Sequence, residues 1–563
     1  MRILTVSSFL LVLIAQVTLA NDAPITMIPA SAVAVVRLQA PETTMKEVST
    51  FINKVSPGFG ELAKAQMTTA LGRTLSDPTL SSVDQKKDWY MAYLSDENQR
   101  VQGVMLIPAT DIAKMKETMG PQFYFADKNG WLACSKSSRL IDEFTKCLSG
   151  SGESIAGSLD DGTKAALSSG HLCIFVNGTS LKKLFANELA SAEEQMERLL
   201  QTMGEQIQRS NPLLDLESVL EVYRSLGKVL LQGARDSKSA VVSVKVTDDA
   251  LEIEDLLMVE ADSQTDVFFR SQPVSDMARL KTLPQGLSGY QAISGDPKVF
   301  FDWSGQMMAK MFKEKELIEK TTKSIALMRQ AKFGTMVIGA DLLPDEDAAM
   351  RYFALAEISP SSIVRDAFQI FGTGMEYEVA GIRQKQTIEM AAETIDGQSV
   401  DIMRIEQTIA PEFDPTGLQR AINEKMYGPD GIAARIVVKE NLLLQTMGGG
   451  PESMKQLMTA ATWSDSKLLQ ARARQLEKAN LLMLVDMPNM ILKFAKLILG
   501  SGAIPIPVKP ELLDGLTISP SYAGFSVAVE KEQLHARTSI PLETFQGFVQ
   551  IGTFVQKTLA ARQ

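Results

Sequence analysis

The sequence predicts an α+β protein built from two diverged tandem copies of one module, each a largely antiparallel sheet with helices packed on one face. Two pairs of similar segments recur in the same order, and their apolar residues alternate as in strands with one buried face. Hydrophobic residues make up 45% and charged residues 22% of the 563 residues, an ordinary globular composition. Because single cores stop growing at about 250 to 300 residues, we expect more than one domain.

Residues 1–20 are predicted to be a secretory signal peptide. Arg2 precedes the apolar residues 3–14, and the small residues Ala15 and Ala20 precede a cleavage site. The apolar run is too short for a membrane span. We therefore expect a protein exported to the periplasm or the exterior. The alternative is an N-terminal anchor that is not cleaved.

The rest of the chain is predicted to be soluble and acidic. The most apolar window of membrane-spanning length, residues 481–499, contains Asp486, Lys493 and Lys496, so no integral membrane segment is expected after cleavage. Removing Arg2 leaves 56 basic residues of the original 57 against 67 acidic residues, a net charge of −11. Nucleic acid is not an expected partner, because binding to phosphates requires a basic face.

The first pair of similar segments predicts a hairpin followed by a helix. Residues 123–134 form two alternating runs around Asn129-Gly130, a pair that supplies the positive φ angles of a type I′ turn, and a helix follows over 139–148. Residues 434–446 repeat this order, with a glycine loop at 448–450 and a helix from about 452 to 461.

The second pair closes each copy and predicts two strands joined by a charged turn. Residues 242–251 match residues 525–534. The alternating apolar positions that correspond are Val242, Val244 and Val246 in one copy and Phe525, Val527 and Val529 in the other. Alternation with a period of two is typical of antiparallel strands with one buried face.

Four segments predict a strand that runs directly into a helix. They are residues 32–38 before a helix near Thr43, 171–177 before 180–185, 298–302 before 307–312, and 481–486 before 490–494. Asn177, Asp302 and Asp486 stand where an Asx side chain can accept hydrogen bonds from the free amides of the coming helix. We interpret these three residues as helix caps and not as ligands.

The two copies differ in their insertions. The first module, residues 24–261, has a helical hairpin from 180 to 231 that is broken at Asn211-Pro212. A polar linker is predicted over residues 262–283. The second module, residues 284–563, adds a β-hairpin around Asp396-Gly397 and an amphipathic helix over 304–330.

This order of segments resembles that of uncharacterised exported bacterial proteins with duplicated sheet-and-helix modules. The resemblance extends over most of the mature chain and is one of pattern. It implies the same kind of fold and, because no diagnostic motif accompanies it, no activity, cofactor or site.

No catalytic residue can be identified from the sequence, and no cofactor or metal site is expected. His171 and His535, the two histidines, do not correspond between the copies and are predicted to be structural. The acidic residues 341–347 lack the spacing of a calcium-binding EF-hand and are predicted to form a solvated turn. Three cysteines, Cys134, Cys147 and Cys173, are predicted to be buried thiols, with one disulfide as the alternative.

The leading functional hypothesis is a non-enzymatic binding or interaction protein. Methionines cluster at 307–311 and 483–490, and flexible thioethers suit adaptable apolar surfaces. The partner would be a hydrophobic small molecule, held in a cleft between the modules, or a protein. One alternative is an extracellular hydrolase with two carboxylates about 5 to 9.5 Å apart. Another is a structural protein of the envelope or surface.

Overall fold

The computed structural model describes residues 24–96, 99–210, 216–298, 301, 305, 315–370, 374–379, 382–412, 414–428, 431–501 and 510–560. The chain divides into two units. Unit 1 contains the described part of residues 1–186, together with residues 237–248 and 253–258. Unit 2 contains residues 187–236 and 249–252 and the described part of residues 259–563.

Unit 1 is built on an antiparallel sheet. Its strands are β1 (Ala34–Leu38), β2 (Trp89–Ser95), β3 (Val101–Pro108), β4 (Tyr124–Lys128), β5 (Trp131–Ser135), β6 (Leu172–Asn177) and β7 (Ser237–Val246). They lie in the order β4-β5-β3-β2-β1-β6-β7, and every neighbouring pair is antiparallel. The next strand, β8 (Ala250–Val259), has residues in both units.

Helices of unit 1 bury one face against this sheet. They are α1 (Pro41–Val55), α2 (Gly60–Leu75), α3 (Ile112–Met119), α4 (Ser138–Ser149), α5 (Asp161–Ser169) and α6 (Gly178–Leu184). Helix α4 shows why they form: Leu140, Phe144 and Leu148 recur every four residues and are buried, and Gly150 ends the helix with a left-handed φ of 81°. The buried cluster beneath it also contains Phe175 of β6.

Unit 2 has a larger sheet. Its strands are β9 (Gly289–Ile293), β10 (Lys332–Leu342), β11 (Met350–Ser359), β12 (Met375–Val379), β13 (Ile382–Ile395), β14 (Gln398–Ile409), β15 (Ile432–Lys439), β16 (Leu442–Met447), β17 (Leu481–Val485), β18 (Ala523–Glu530) and β19 (Gln533–Pro541). They lie in the order β12-β13-β14-β15-β16-β11-β10-β9-β17-β18-β19, again with antiparallel neighbours.

The helices of unit 2 include a helical hairpin. They are α7 (Ala186–Ser210, whose first residue belongs to unit 1), α8 (Leu216–Asp236), α9 (Gln264–Ser271), α10 (Lys315–Met328), α11 (Ser362–Gln369), α12 (Leu418–Tyr427), α13 (Gly450–Thr459), α14 (Ser466–Ala473), α15 (Met487–Gly500) and α16 (Leu542–Ala560). In the core, the ring of Tyr290 lies 4.8 Å from that of Trp463 and 5.9 Å from that of Tyr522. Among the described residues, no helix is long and apolar enough to cross a membrane.

Seven strands of each unit follow the same spatial order. The series β4-β5-β3-β2-β1-β6-β7 in unit 1 corresponds to β15-β16-β11-β10-β9-β17-β18 in unit 2. The two sequence matches fall at equivalent places. The first lies on β4-β5 in unit 1 and on β15-β16 in unit 2. In the second, Val242 of β7 pairs with Ile174 as Phe525 of β18 pairs with Met483. This shared order is a fact of topology. Duplication as its origin stays a prediction.

The α+β class and the antiparallel sheets are confirmed, as are several local predictions. Asn129 and Gly130 have φ angles of 49° and 80° between β4 and β5, as a type I′ turn requires. The side chains of Asn177 and Asp486 accept hydrogen bonds from the amides of Ser180 and Asn489, so both residues are helix caps. Asp302, the third predicted cap, lies outside the described residues.

One predicted strand is wrong. In residues 298–302, Lys298 and Phe301 are helical, and the strand of this region is β9, earlier in the chain. Pro297 accounts for the difference, because its fixed φ suits the first turn of a helix and its carbonyl accepts a hydrogen bond from the amide of Phe301 at 2.8 Å. Apolar composition alone did not distinguish a buried helix from a strand.

The segment predicted as a linker contains regular structure. Helix α9 lies within residues 262–283, and Met277, Leu280 and Leu283 are buried in the core of unit 2. The predicted domain boundaries stay a prediction. The three cysteines are free and buried, and burial raises the pKa of the Cys134 thiol to about 12.

Two glycines offer a matched test of the backbone around β11 and β13. Gly448 and Gly397 have similar φ angles, 77° and 76°. An added Cβ at Gly448 would overlap the carbonyl oxygen of Met350, whereas nothing lies within 4 Å of one at Gly397. A left-handed backbone costs about 1 to 2 kcal/mol at either site. We expect Gly448→Ala to lower the free energy of unfolding by about 2 kcal/mol more than Gly397→Ala, measured by urea denaturation with circular dichroism. Equal losses would contradict the packing at Gly448.

Candidate functional site

Strand β1 of unit 1 carries apolar side chains on both of its faces, and Arg37 is its one charged residue. Val35 points into the core and is fully buried, and Arg37 on the same side is buried in an ion pair with Asp88 at 2.8 Å. Ala34, Val36 and Leu38 point to the opposite face and are half-buried. The second face therefore carries side chains that usually avoid water.

Strand register extends this second face over four strands. Val36 lies opposite Met91 of β2 and opposite Ile174 of β6, and Ile174 lies opposite Val242 of β7. Directly opposed residues of an antiparallel sheet point to the same side. We define the apolar face of unit 1 as Val36, Met91, Tyr93, Leu172, Ile174, Val242 and Val244.

Much of the apolar face of unit 1 remains accessible. Leu71 and Leu75 of α2 pack in a cluster that includes Leu38 and Met91, and so cover one end. Tyr93 is nevertheless 36% exposed, and Leu172 and Ile174 are each 37% exposed. The solvent face of an antiparallel sheet normally alternates to polar residues, and clustered exposed apolar residues mark interaction sites.

The chemistry of this face is that of a surface for an apolar molecule. None of its seven residues is charged, and the phenol of Tyr93 is their one hydrogen-bonding group. Covering exposed Leu and Ile side chains stabilises a complex by about 25 cal/mol per Å² of apolar surface removed from water. The arrangement can therefore hold hydrocarbon, with one hydroxyl available at Tyr93.

Unit 2 contains a second feature, a polar cluster of Ser288, Asp341 and Lys493. The Nζ atom of Lys493 lies 2.6 Å from Oδ1 of Asp341 and 3.1 Å from Oγ of Ser288, and the Ser288 hydroxyl donates to the same Asp341 oxygen. Ser288 and Asp341 are buried. Close by, burial raises the pKa of the Asp486 carboxyl, and hydrogen bonds from Asn489 oppose that shift.

Apolar residues replace this cluster in unit 1. Strand register makes Ser288 equivalent to Val33 and Asp341 equivalent to Leu94. Lys493 is equivalent to Leu184, because each stands seven residues after the cap of its helix, Asp486 or Asn177. Unit 2 thus has an ion pair at positions where unit 1 has apolar side chains. A buried pair of this kind adds little to the free energy of unfolding, but removing one partner lowers that free energy, because the other charge stays buried without a partner.

A cleft of about 320 Å³ lies beside Lys493 in unit 2. Its walls are Leu342, Leu343, Pro344, Asp345, Glu346, Asn489, Leu492, Lys493 and Lys496. Neither Asp341 nor Asp486 lines it, and the lining carboxylates, Asp345 and Glu346, are neighbours on one exposed turn. The cleft does not place two carboxylates on opposite sides of a bound substrate, which a glycoside hydrolase requires.

His171 has a structural role. Its Nδ1 atom accepts a hydrogen bond from the amide of Val246 at 3.1 Å, and its Nε2 atom lies 2.7 Å from a carboxylate oxygen of Glu47. At the equivalent position in unit 2, Oδ1 of Asn480 accepts from the amide of Val529 at 2.7 Å. Because an amide side chain fills the same role, imidazole chemistry is not needed there. His535 lies on β19 opposite Ala528.

The other sequence candidates are separated by the fold. Asp345, Glu346 and Asp347 are exposed as predicted, but Asp341 lies on β10 and is buried. Within the part of the chain that the structure describes, no cluster of metal-ligating side chains occurs. Of the methionine clusters, residues 307–311 lie outside the described residues, whereas Met487 and Met490 are 37% and 38% exposed on α15.

No protein-family model, curated protein or solved structure matches this chain. The apolar face of unit 1 was not identified from the sequence, although a signal for it was present. Residues 172–176 of β6 are apolar at every position, where a strand with one wet face would alternate. A strand of this kind indicates that both faces of its sheet are apolar.

The polar cluster of unit 2 generates a stability prediction. We expect Lys493→Met to lower the free energy of unfolding by about 3 kcal/mol, because it leaves the buried Asp341 carboxylate without its cation. The control replaces Ser288, Asp341 and Lys493 together by Val, Leu and Leu, the residues of unit 1, and should recover most of that loss. Urea denaturation of both variants measures the difference. A Lys493→Met variant as stable as the wild type would contradict the pairing.

Proposed function

We propose that this protein is an exported, non-enzymatic binding protein that holds a small molecule with a long hydrocarbon part against the apolar face of unit 1. The observation that carries the proposal is the exposure of Leu172 and Ile174, 37% each, in the middle of a face without charged side chains. Export is the part of the proposal that rests on residues 1–20, which lie outside the described residues.

The composition of the face favours a small apolar molecule over a protein partner. Protein interfaces carry about one hydrogen bond per 100 to 200 Å² and surround their apolar core with a polar rim. Ligand sites are mostly hydrophobic and have a few polar groups that set orientation. Tyr93, with Ser95 next on the same side of β2, supplies hydroxyls at one edge only. That pattern suits a hydrocarbon chain with a polar head.

The two alternatives receive less support. A carboxylate-pair hydrolase has no observation in its favour, because Asp341 is bound to Lys493, Asp486 caps α15, and neither lines the cleft of unit 2. A structural role in an envelope or surface layer would bury the same face against protein, and the scarcity of hydrogen-bonding groups on that face favours a small apolar molecule instead. The placement of a ligand between the modules stays a prediction, and the proposal here uses residues of unit 1 alone.

Binding of cis-parinaric acid, a fatty acid that fluoresces when it leaves water, tests the proposal. We expect the mature wild-type chain to bind it and Ile174→Glu to weaken binding to unit 1 at least about tenfold, which corresponds to about 1.4 kcal/mol, because a carboxylate would face the hydrocarbon. The matched control is Leu62→Glu on α2, a site that is 53% exposed and lies outside the apolar face.

Leu62→Glu should leave both the fluorescence and the melting temperature of the chain unchanged. Equal binding by Ile174→Glu and the wild type would remove the apolar face of unit 1 as the site. No binding of the fatty acid by the wild type would overturn the proposed function.

A further inference from the structure

The cleft beside Lys493 in unit 2 brings charged groups and hydrocarbon together. Helix α15 lines it with Asn489, Lys493 and Lys496, whose spacings of four and three residues place them on one face of the helix. The turn after β10 adds the carboxylates of Asp345 and Glu346. The apolar lining consists of Leu342, Leu343, Pro344 and Leu492. A single small molecule can therefore contact cations, carboxylates and hydrocarbon here.

Buried polar groups hold the ammonium group of Lys493 in place. Ser288 is 6% and Asp341 is 8% exposed, and both accept hydrogen bonds from its Nζ atom. Lys493 itself lines the cleft, and its side chain is 28% exposed. These two residues are the acceptors of Nζ among the described residues, whereas an ammonium group has three donors. One donor therefore remains for a ligand.

The fold does not require a charge at this place. The equivalent residues of unit 1, Val33, Leu94 and Leu184, are apolar, although the strand order is the same. A buried ion pair is often no more stabilising than hydrocarbon of similar volume. A cation that buried groups hold beside a cleft is instead the arrangement of a prepared binding site.

A second ammonium group lies one turn further along α15. The Nζ atom of Lys496 donates to Oδ1 of Asp514 at 2.7 Å, and the side chain of Lys496 is 19% exposed. Asp514 is its acceptor among the described residues, so this ammonium group also has donors left. The two oxygens of a ligand carboxylate can accept hydrogen bonds from both lysines.

The turn after β10 favours a ligand that also carries a positive charge. Glu346 is bound to Arg351, whereas Asp345 is exposed and lines the cleft. The Asp345 carboxylate would repel a ligand with negative charge alone, a phosphate above all, and would attract an ammonium group. The charges of the cleft therefore favour a zwitterion over an anion, a cation or a plain hydrocarbon.

We propose that this cleft binds a free α-amino acid with an apolar side chain, leucine or one of similar size. Lys493 and Lys496 bind its carboxylate, Asp345 binds its ammonium group, and the apolar lining contacts its side chain. The volume of about 320 Å³ is at the small end of the range for ligand sites, about 300 to 1,000 Å³, and suits a molecule of this size. This inference does not rest on the proposed function, because it uses residues of unit 2 alone.

Isothermal titration calorimetry of the mature chain with L-leucine tests this site. We expect leucine to bind at least about tenfold more tightly than 4-methylpentanoate, which lacks the ammonium group, or 3-methylbutylamine, which lacks the carboxylate. The combined variant Ser288→Val, Asp341→Leu and Lys493→Leu should stay folded, since these are the residues of unit 1. It should nevertheless bind leucine at least about tenfold more weakly than the wild type. Melting temperatures show that it is folded.

Two substitutions on the turn after β10 form a matched pair. Asp345→Asn should weaken leucine binding at least about threefold, as expected when an exposed charge loses its partner. Asp347→Asn lies on the same turn but outside the lining of the cleft, and should bind leucine as the wild type does. Ile174→Glu, in unit 1, should also leave leucine binding unchanged.

Several results would overturn the proposal. One is no binding of leucine, phenylalanine or methionine by the wild type at about 10 mM ligand. Equal affinity for leucine and 4-methylpentanoate, or equal affinity of the wild type and the combined variant for leucine, would do the same. Loss of leucine binding in Ile174→Glu would place the amino acid in unit 1 and would also contradict the site in unit 2.

Discussion

Each unit depends on the pairing of its first strand with two strands from distant parts of the chain. β1 pairs with β2 on one side and β6 on the other, and β9 pairs with β10 and β17. In unit 1 this joins Ala34 to Val176, across more than a hundred residues. Because the first strand is central, its register decides which side chains of four strands share a face.

That register also creates the surface on which the functional proposal rests. The part of a sheet face that no helix covers normally carries polar residues. Val36 and Ile174 break this rule on the second face of unit 1. The exposure of Leu172 and Ile174 on that face is the observation behind the proposed occupant. The ion pair of Asp341 and Lys493 lies instead on the core side and acts in the packing of α15.

Local patterns predicted much of the fold. Asn129-Gly130 and Asp396-Gly397 identified their turns because both need positive φ angles, and Asn177 and Asp486 identified helix starts because their side chains replace missing hydrogen bonds. The prediction of a strand over 298–302 was wrong because a short apolar run is compatible with a buried helix as well as with a strand. The apolar face of unit 1 and the Ser288 cluster were not predicted, since both require the register between strands far apart in the sequence.

The most direct test of the central claim is native mass spectrometry of the mature protein purified from its own host, followed by organic extraction. An open apolar face should be occupied where hydrocarbon is available. The account predicts one stoichiometric adduct per chain that extraction recovers as a molecule with a long hydrocarbon chain. A chain that is empty when purified gently from its host would contradict it.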